Sequence, residues 1–388
     1  MRRILLITII TGFFFINHFP DSVNGKNISK TKRNIPVKVG VYGDQGASAV
    51  CVTETMAALK LDPEIDADVI FGSDIADGVL NSLDVIVFPG GSGSKEAMSM
   101  GVLSRKKVRD FVMNEGKGCV AICAGGYLVS STPVYKWSLK LTSSSVFDRA
   151  HYNRGRGLIE LSLTEKGENI FPELKGNKSF FLQYNDGPVL VRSENSDLPD
   201  YEELGKYVTD IHLSGNSESG ITPGKTALLL NKAGKGKVFV IAGHPESTPG
   251  MQWIVPRMVR VVANRKIVTY PKTVVRPERY SGAILFDSKK IKREKSLFWK
   301  LTGNSAEEKI DALTELVEMR SRPALRWAIG LLRDDNPEVR MFAVQVLAEA
   351  DYTPAINDIE IAVKYEKNGN CLKEMKISLN HLNEIINR

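Results

Sequence analysis

The chain has 388 residues, 43% hydrophobic and 25% charged, with only 4 Cys and 5 His. That balance excludes a wholly disordered chain, a polytopic membrane protein and a small disulfide-dense scaffold, and the length fits two or three domains. The net charge of +7 is concentrated: residues 265–300 hold eleven Lys and Arg against three acidic residues, an excess of +8, so the remainder is near neutral and no nucleic-acid partner is expected.

At the N-terminus, Met1-Arg2-Arg3 heads an apolar run from Ile4 to Ile16 that breaks at Asn17-His18-Phe19-Pro20. The run is shorter than the roughly 20 residues that span a bilayer. A basic head, a short apolar core and a small residue near Gly25 predict a secretory signal over residues 1–25 and a polar tether over 26–36. The expected location is therefore exported, periplasmic or extracellular.

From Val37 to about Ala263, short apolar runs alternate with helical spacing. Strands are predicted at Val37–Tyr42, Asp68–Phe71, Asp84–Phe88 and Cys119–Cys123, with helices over Val50–Leu61 and Ser104–Asn114. Near-continuous apolar strands between helices predict an α/β fold with a doubly wound, mostly parallel sheet. Further strand-like pieces follow at Leu158–Leu163, Val189–Val191, Thr226–Leu230 and Lys237–Ile241, and a helix over Gly250–Ala263 closes the domain. If Cys119–Cys123 is a strand, its ends lie about 13 Å apart, too far for those two thiols to pair.

Residues 266–303 are a basic linker. It reads as a solvated connector along the preceding domain; its Lys and Arg, with Phe298 and Trp299, also suit weak contact with an anionic surface. Beyond it the character becomes helical. Ser305 and Glu308 form a capping box, Asn336 precedes Pro337 as an N-cap, and Pro-Ala-apolar triplets recur at Pro323 and Pro354. Residues 304–388 resemble a small all-α HEAT-like repeat, most clearly at Asp334–Arg340. Such a module offers a surface for a protein partner.

Three short motifs carry chemistry. In Ala121-Ile122-Cys123-Ala124-Gly125-Gly126-Tyr127 an apolar strand runs straight into one Cys, followed by small residues. That is the form of a nucleophile elbow, whose turn is strained and whose following helix aims its dipole at the sulfur. In Ile241-Ala242-Gly243-His244-Pro245-Glu246 a His and an acid two apart close a strand; Glu246 is placed to orient His244, and His244 to serve Cys123 as base. In Phe88-Pro89-Gly90-Gly91-Ser92-Gly93 the turn offers amides that, with that of Ala124, suit an oxyanion hole. All three end strands of one α/β domain, the edge at which such sheets bind ligands.

These residues resemble the class I glutamine amidotransferase-like superfamily, and more narrowly the N-terminal domain of biotin–protein ligases. The landmarks are Tyr42–Ser48, Phe88–Gly91, Ile122–Tyr127, Arg154–Gly157, Tyr184–Pro188 and His244–Glu246, and the resemblance covers about residues 35–265. It implies a flavodoxin-like fold, Cys123 as nucleophile, His244 as base, Glu246 as orienting acid, and the amides of Gly91 and Ala124 as oxyanion donors. Gly90, Tyr127, Arg154, Tyr184 and Asn185 are placed as substrate-binding residues, with Arg154 and Arg156 suited to a bidentate grip on a carboxylate.

No ligase catalytic domain follows, so ligase activity does not carry over, and no synthetase domain is present to receive ammonia. The implied chemistry is thiol-dependent hydrolysis of an amide or peptide-like bond in a small-molecule or peptide-like substrate. A catalytically silent ligand-binding domain and an oxidisable redox thiol are the rival readings. No dinucleotide fingerprint, P-loop, HExxH or CxxC occurs, so neither a cofactor nor a metal is expected.

Overall fold

The computed structural model describes residues 35–147, 155–193, 197–212 and 218–386. The predicted signal and most of the tether lie outside them, as does Arg154. Within the described residues the strand runs become a sheet of twelve strands. Its first half is built by four successive strand–helix units: β1 (Val37–Tyr42), α1 (Ala49–Leu59), β2 (Ile65–Ile70), α2 (Gly72–Ala76), β3 (Val85–Phe88), α3 (Gly93–Met113), β4 (Gly118–Ile122) and α4 (Ala124–Val129). The second half carries β5 (Ser144–Val146), β6 (Arg156–Leu163), α5 (Glu165–Ile170), β7 (Phe180–Asn185), β8 (Leu190–Arg192), β9 (Glu202–Tyr207), β10 (Thr226–Ala233), β11 (Gly236–Ile241) and α6 (Ile254–Val262).

The parallel strands run in the order β2-β1-β3-β4-β11, the flavodoxin-like order of a doubly wound sheet. β11 then turns antiparallel into β10, and β9, β6 and β7 continue the antiparallel wing. β3 and β4 are buried along their whole length, as strands covered by helices on both faces must be. β2, at the edge, alternates and leaves Val69 37% exposed. The antiparallel wing held a strand that was illegible: β9 has mixed polarity, and its place is fixed by pairing rather than by apolar content.

α3 starts eleven residues before its predicted beginning, inside the Gly-rich turn, and is kinked at Gly101, where φ is +73°. α6 buries two arginines, each held by carboxylates: Arg257 by Glu173, and Arg260 by Asp62 and Glu64. All four cysteines are free and buried; Cys119 lies in β4 and Cys123 directly follows it.

The basic stretch is a structured element. It adds β12 (Ile284–Leu285) to β6 and then forms α7 (Ser288–Leu301). Arg276 pairs with Asp351 and Arg293 with Glu315. Five further helices follow: α8 (Ala306–Glu318), α9 (Ala324–Leu331), α10 (Pro337–Glu349), α11 (Ile356–Tyr365) and α12 (Gly369–Ile386). Ser305 caps α8 through the Glu308 amide and Asn336 caps α10 through the Glu338 amide. Residues 36–388 form one compact unit, and the helical segment shares a hydrophobic core with the α/β part. It also reaches the site.

Candidate active site

The parallel strands deliver three segments to one edge of the sheet. β4 ends at Ile122, and Cys123 is the next residue, caught between strand and helix. Its amide donates to the Ile241 carbonyl at 2.9 Å, which ties the turn to β11. Its φ is +48° and ψ −103°, a conformation that costs a non-glycine residue on the order of 1–3 kcal/mol and persists only where the surroundings impose it. The predicted elbow is thus present as backbone strain. The side chain is 4% exposed, and its Sγ donates to the Asn185 carbonyl at 3.4 Å.

His244 follows β11. Its amide donates to Gln183 on β7, and Thr248 Oγ1 donates to its carbonyl, both at 2.7 Å. The ring is fixed by Glu246, whose Oε1 lies 2.7 Å from Nδ1, with both side chains essentially inaccessible. A carboxylate only accepts, so Nδ1 carries a proton that points at Glu246. Nε2 is buried without a hydrogen-bond partner among the described residues, and the ring interacts electrostatically with Cys123. Burial and the Arg322 charge oppose protonation of the imidazole; the negative charge on Cys123 and Glu246 outweighs them and holds its pKa well above the usual histidine value.

The turn after β3 completes the constellation. A Cβ on Gly90 would stand 2.6 Å from His244 Cε1 and 2.8 Å from Cys51 Sγ, so only glycine lets the imidazole occupy its place. Gly91 has φ +154°, and a Cβ there would meet the Gly46 carbonyl at 2.1 Å. Gly91, Cys123 and Ala124 line one cavity of about 510 Å³, a volume typical of small-molecule sites. As the first residue of α4, Ala124 has an amide without a partner inside its helix. One wall is aromatic: Trp137 stacks on Tyr135 at 4.7 Å, and Tyr127 lies beside it. Asp186 forms part of the other wall; burial pushes its carboxyl up, against the Gly155 amide and Arg156.

The substrate-binding candidates separate. Asn185 and Tyr127 line the cavity, with the Tyr127 hydroxyl donating to the Asp186 carbonyl at 2.8 Å. Gly90 packs against His244. The Tyr184 side chain turns into the core, 1% exposed, with its hydroxyl donating to Gly187 O at 2.8 Å; alternation along β7 sends it opposite to its neighbour. Arg156 grips a carboxylate as its planar fork suits, but the carboxylate is Glu294 of the same chain.

Sequence reasoning missed the other side of the histidine. Cys51 on α1, Glu54 one turn on, and Arg322 from the loop before α9 form a buried cluster behind the His244–Glu246 pair. Arg322 Nη2 stands 3.1 Å from Cys51 Sγ, 3.1 Å from Glu54 Oε2 and 3.6 Å from Glu246 Oε1. Glu54 also accepts from Ser247 and from Tyr352 Oη, the latter at 2.9 Å. Burial raises the Cys51 thiol, but the closeness of His244 and the charges of His244 and Arg322 overcome that and leave it below the ordinary thiol value. Ligand atoms of Cys51, His244 and Glu246 lie within 4.8 Å of one another. Arg322 already places its guanidinium on two of them, so the cationic position of this cluster is filled by the protein itself.

Residues 37–269 match the family described as Biotin-protein ligase, N terminal. The chain belongs to that family. The match ends where the basic stretch begins, so α7 and the helices after it are additions to the family domain. Solved structures are similar at low identity. A ThuA-like protein from Parabacteroides merdae is 13% identical over 61% of this chain and 94% of its own, with a TM-score of 0.43. The glutaminase domain of Trypanosoma brucei CTPS with bound acivicin is 11% identical over 61% of this chain and 97% of its own, with a TM-score of 0.39. A β-galactosidase from Bacillus circulans sp. alkalophilus is 16% identical over 59% of this chain and 31% of its own, with a TM-score of 0.36. No curated protein matches.

Proposed function

We propose that this protein is a thiol-dependent hydrolase of an amide or peptide-like bond, with Cys123 as nucleophile, His244 as base and Glu246 as orienting acid. The observation that carries the reading is the strained Cys123 turn opening on a cavity, with a buried His244–Glu246 pair behind it. Strain at a cysteine costs stability without improving packing, and the buried pair adds desolvation cost; a scaffold needs neither.

In the proposed reaction, His244 Nε2 takes the Cys123 proton and Sγ attacks the carbonyl carbon. The carbonyl electrons move onto oxygen, where the Gly91 and Ala124 amides receive them. Collapse breaks the C–N bond, the amine leaves with the proton from His244, and a thioester remains. Water, deprotonated by His244, then cleaves the thioester, and the acid and the free thiol are restored. The aromatic wall suits a small peptide-like substrate, and Asn185 and Asp186 offer it directional polar contacts. We extend the proposal to export, on the basic head and short apolar run before residue 25; among the described residues no helix is long and apolar enough to cross a membrane.

The test is a panel of amino-acid amides and short peptide 4-nitroanilides, with a peptide aldehyde as covalent probe. Turnover that disappears in both Cys123→Ala and His244→Ala, with aldehyde capture at Cys123, is the expected result. No turnover across the panel together with no aldehyde capture would return the domain to a silent binding role.

A further inference from the structure

A second cavity, of about 200 Å³, lies where the loop before α9 meets the α/β part. It is lined by four arginines, Arg156, Arg320, Arg322 and Arg326, against one acid, Glu294. Two of the four are spoken for: Arg156 by Glu294, and Arg322 by Glu54 and Cys51. The other two make no ion pair among the described residues; Arg320 rests its guanidinium over the Tyr280 ring at 5.2 Å. Half-buried cations without carboxylates are costly unless something anionic completes them.

We infer that this arginine-lined cavity binds a small molecule bearing a carboxylate or phosphate group. Guanidinium forks match both groups bidentately, and Arg320 and Arg326, without carboxylate partners beside one space, give it a positive potential with low-dielectric walls. The volume suits a compact anion or the charged end of a molecule rather than a whole drug-sized ligand. Asn185 and Gln183 complete the lining with neutral polar groups. Since Asn185 also lines the Cys123 cavity, the two spaces adjoin. Arg320 and Arg322, from the loop before α9, and Arg326, within α9, all belong to the helical segment, so the site exists only because that segment is docked on the α/β part. The inference stands on these residues and not on the thiol chemistry.

Isothermal titration of the full chain carrying Cys123→Ala keeps the two readings apart. Inorganic phosphate and acetate are the probes, at ionic strength held constant with sodium chloride; they distinguish a phosphate ligand from a carboxylate. Saturable binding of at least one is expected. It should weaken about tenfold or more when Arg320 and Arg326 are both changed to Gln, and stay unchanged in Lys292→Gln/Lys295→Gln, which removes the same charge from the exposed face of α7. Arg326→Gln alone serves if the double variant fails to fold. Absence of saturable binding of both anions, or equal weakening in the surface variant, would overturn the proposal.

Discussion

Replacing Arg322 by Met removes a charge that two buried carboxylates share. Glu54 and Glu246 have side chains 2% and 0% exposed, so neither can turn to water for compensation. At 3.6 Å from Glu246, and with an effective dielectric of about 20, the attraction to that carboxylate alone is on the order of 4–5 kcal/mol before desolvation is subtracted. Breaking a buried pair from one side costs about 3–5 kcal/mol, and that is the predicted loss from urea unfolding at neutral pH. A second consequence separates this role from mere packing. Arg322 opposes protonation of His244 and helps hold the Cys51 thiol down, so its removal should move both titrations upward. The histidine shift is read from the imidazole carbon resonances of selectively labelled protein, with His244→Gln supplying the assignment. Arg322→Lys should keep most of the charge effect while losing the fork that reaches both Glu54 and Cys51. An Arg322→Met protein within about 1 kcal/mol of wild type, with an unmoved His244 resonance, would refute the reasoning.

Two other residues yield sharp expectations. Glu96 on α3 is fully buried with neither carboxylate oxygen hydrogen-bonded; burial, helped by Cys51, pushes its pKa up to about 8 from 4.5. The folded chain therefore holds this proton more tightly than the unfolded one. Its contribution is complete below about pH 4.5 and is lost as the pH rises to about 8, roughly 3 kcal/mol of it by pH 7. Glu96→Gln should flatten the fall in stability between pH 5 and 8, measured by urea midpoints; an unchanged slope would contradict the assignment. Gly90→Ala should drive the imidazole out of place, since the new methyl would overlap His244 Cε1 and Cys51 Sγ. Labelling at Cys123 should then fall towards the level of His244→Ala, while circular dichroism stays native.

How much of this was legible depends on what fixes each residue. The parallel half announced itself because Val85–Phe88 and Gly118–Ile122 are buried on both faces and must be apolar throughout. The elbow was legible for a related reason: a strained turn needs small neighbours, and Ala124-Gly125-Gly126 supplies them. Glu202–Tyr207 carries no such pattern, because its place comes from pairing with β10 and β6. Tyr184 sat in a recognisable motif, yet its side chain faces the core; a motif marks a segment, while strand alternation decides which of its residues face the ligand. Cys51 and Arg322 lie 271 positions apart. Nothing local marks either one, since their meaning arises only when the helical segment docks behind His244.

Activation of Cys123 is tested most directly by its alkylation with iodoacetamide, followed by peptide mass spectrometry in wild type and His244→Ala. Near neutral pH, Cys123 should be labelled well ahead of Cys51, Cys119 and Cys371, and the rate should fall at least about tenfold without the imidazole. Labelling of Cys123 no faster than of the other three, or at the same rate with and without His244, would contradict it.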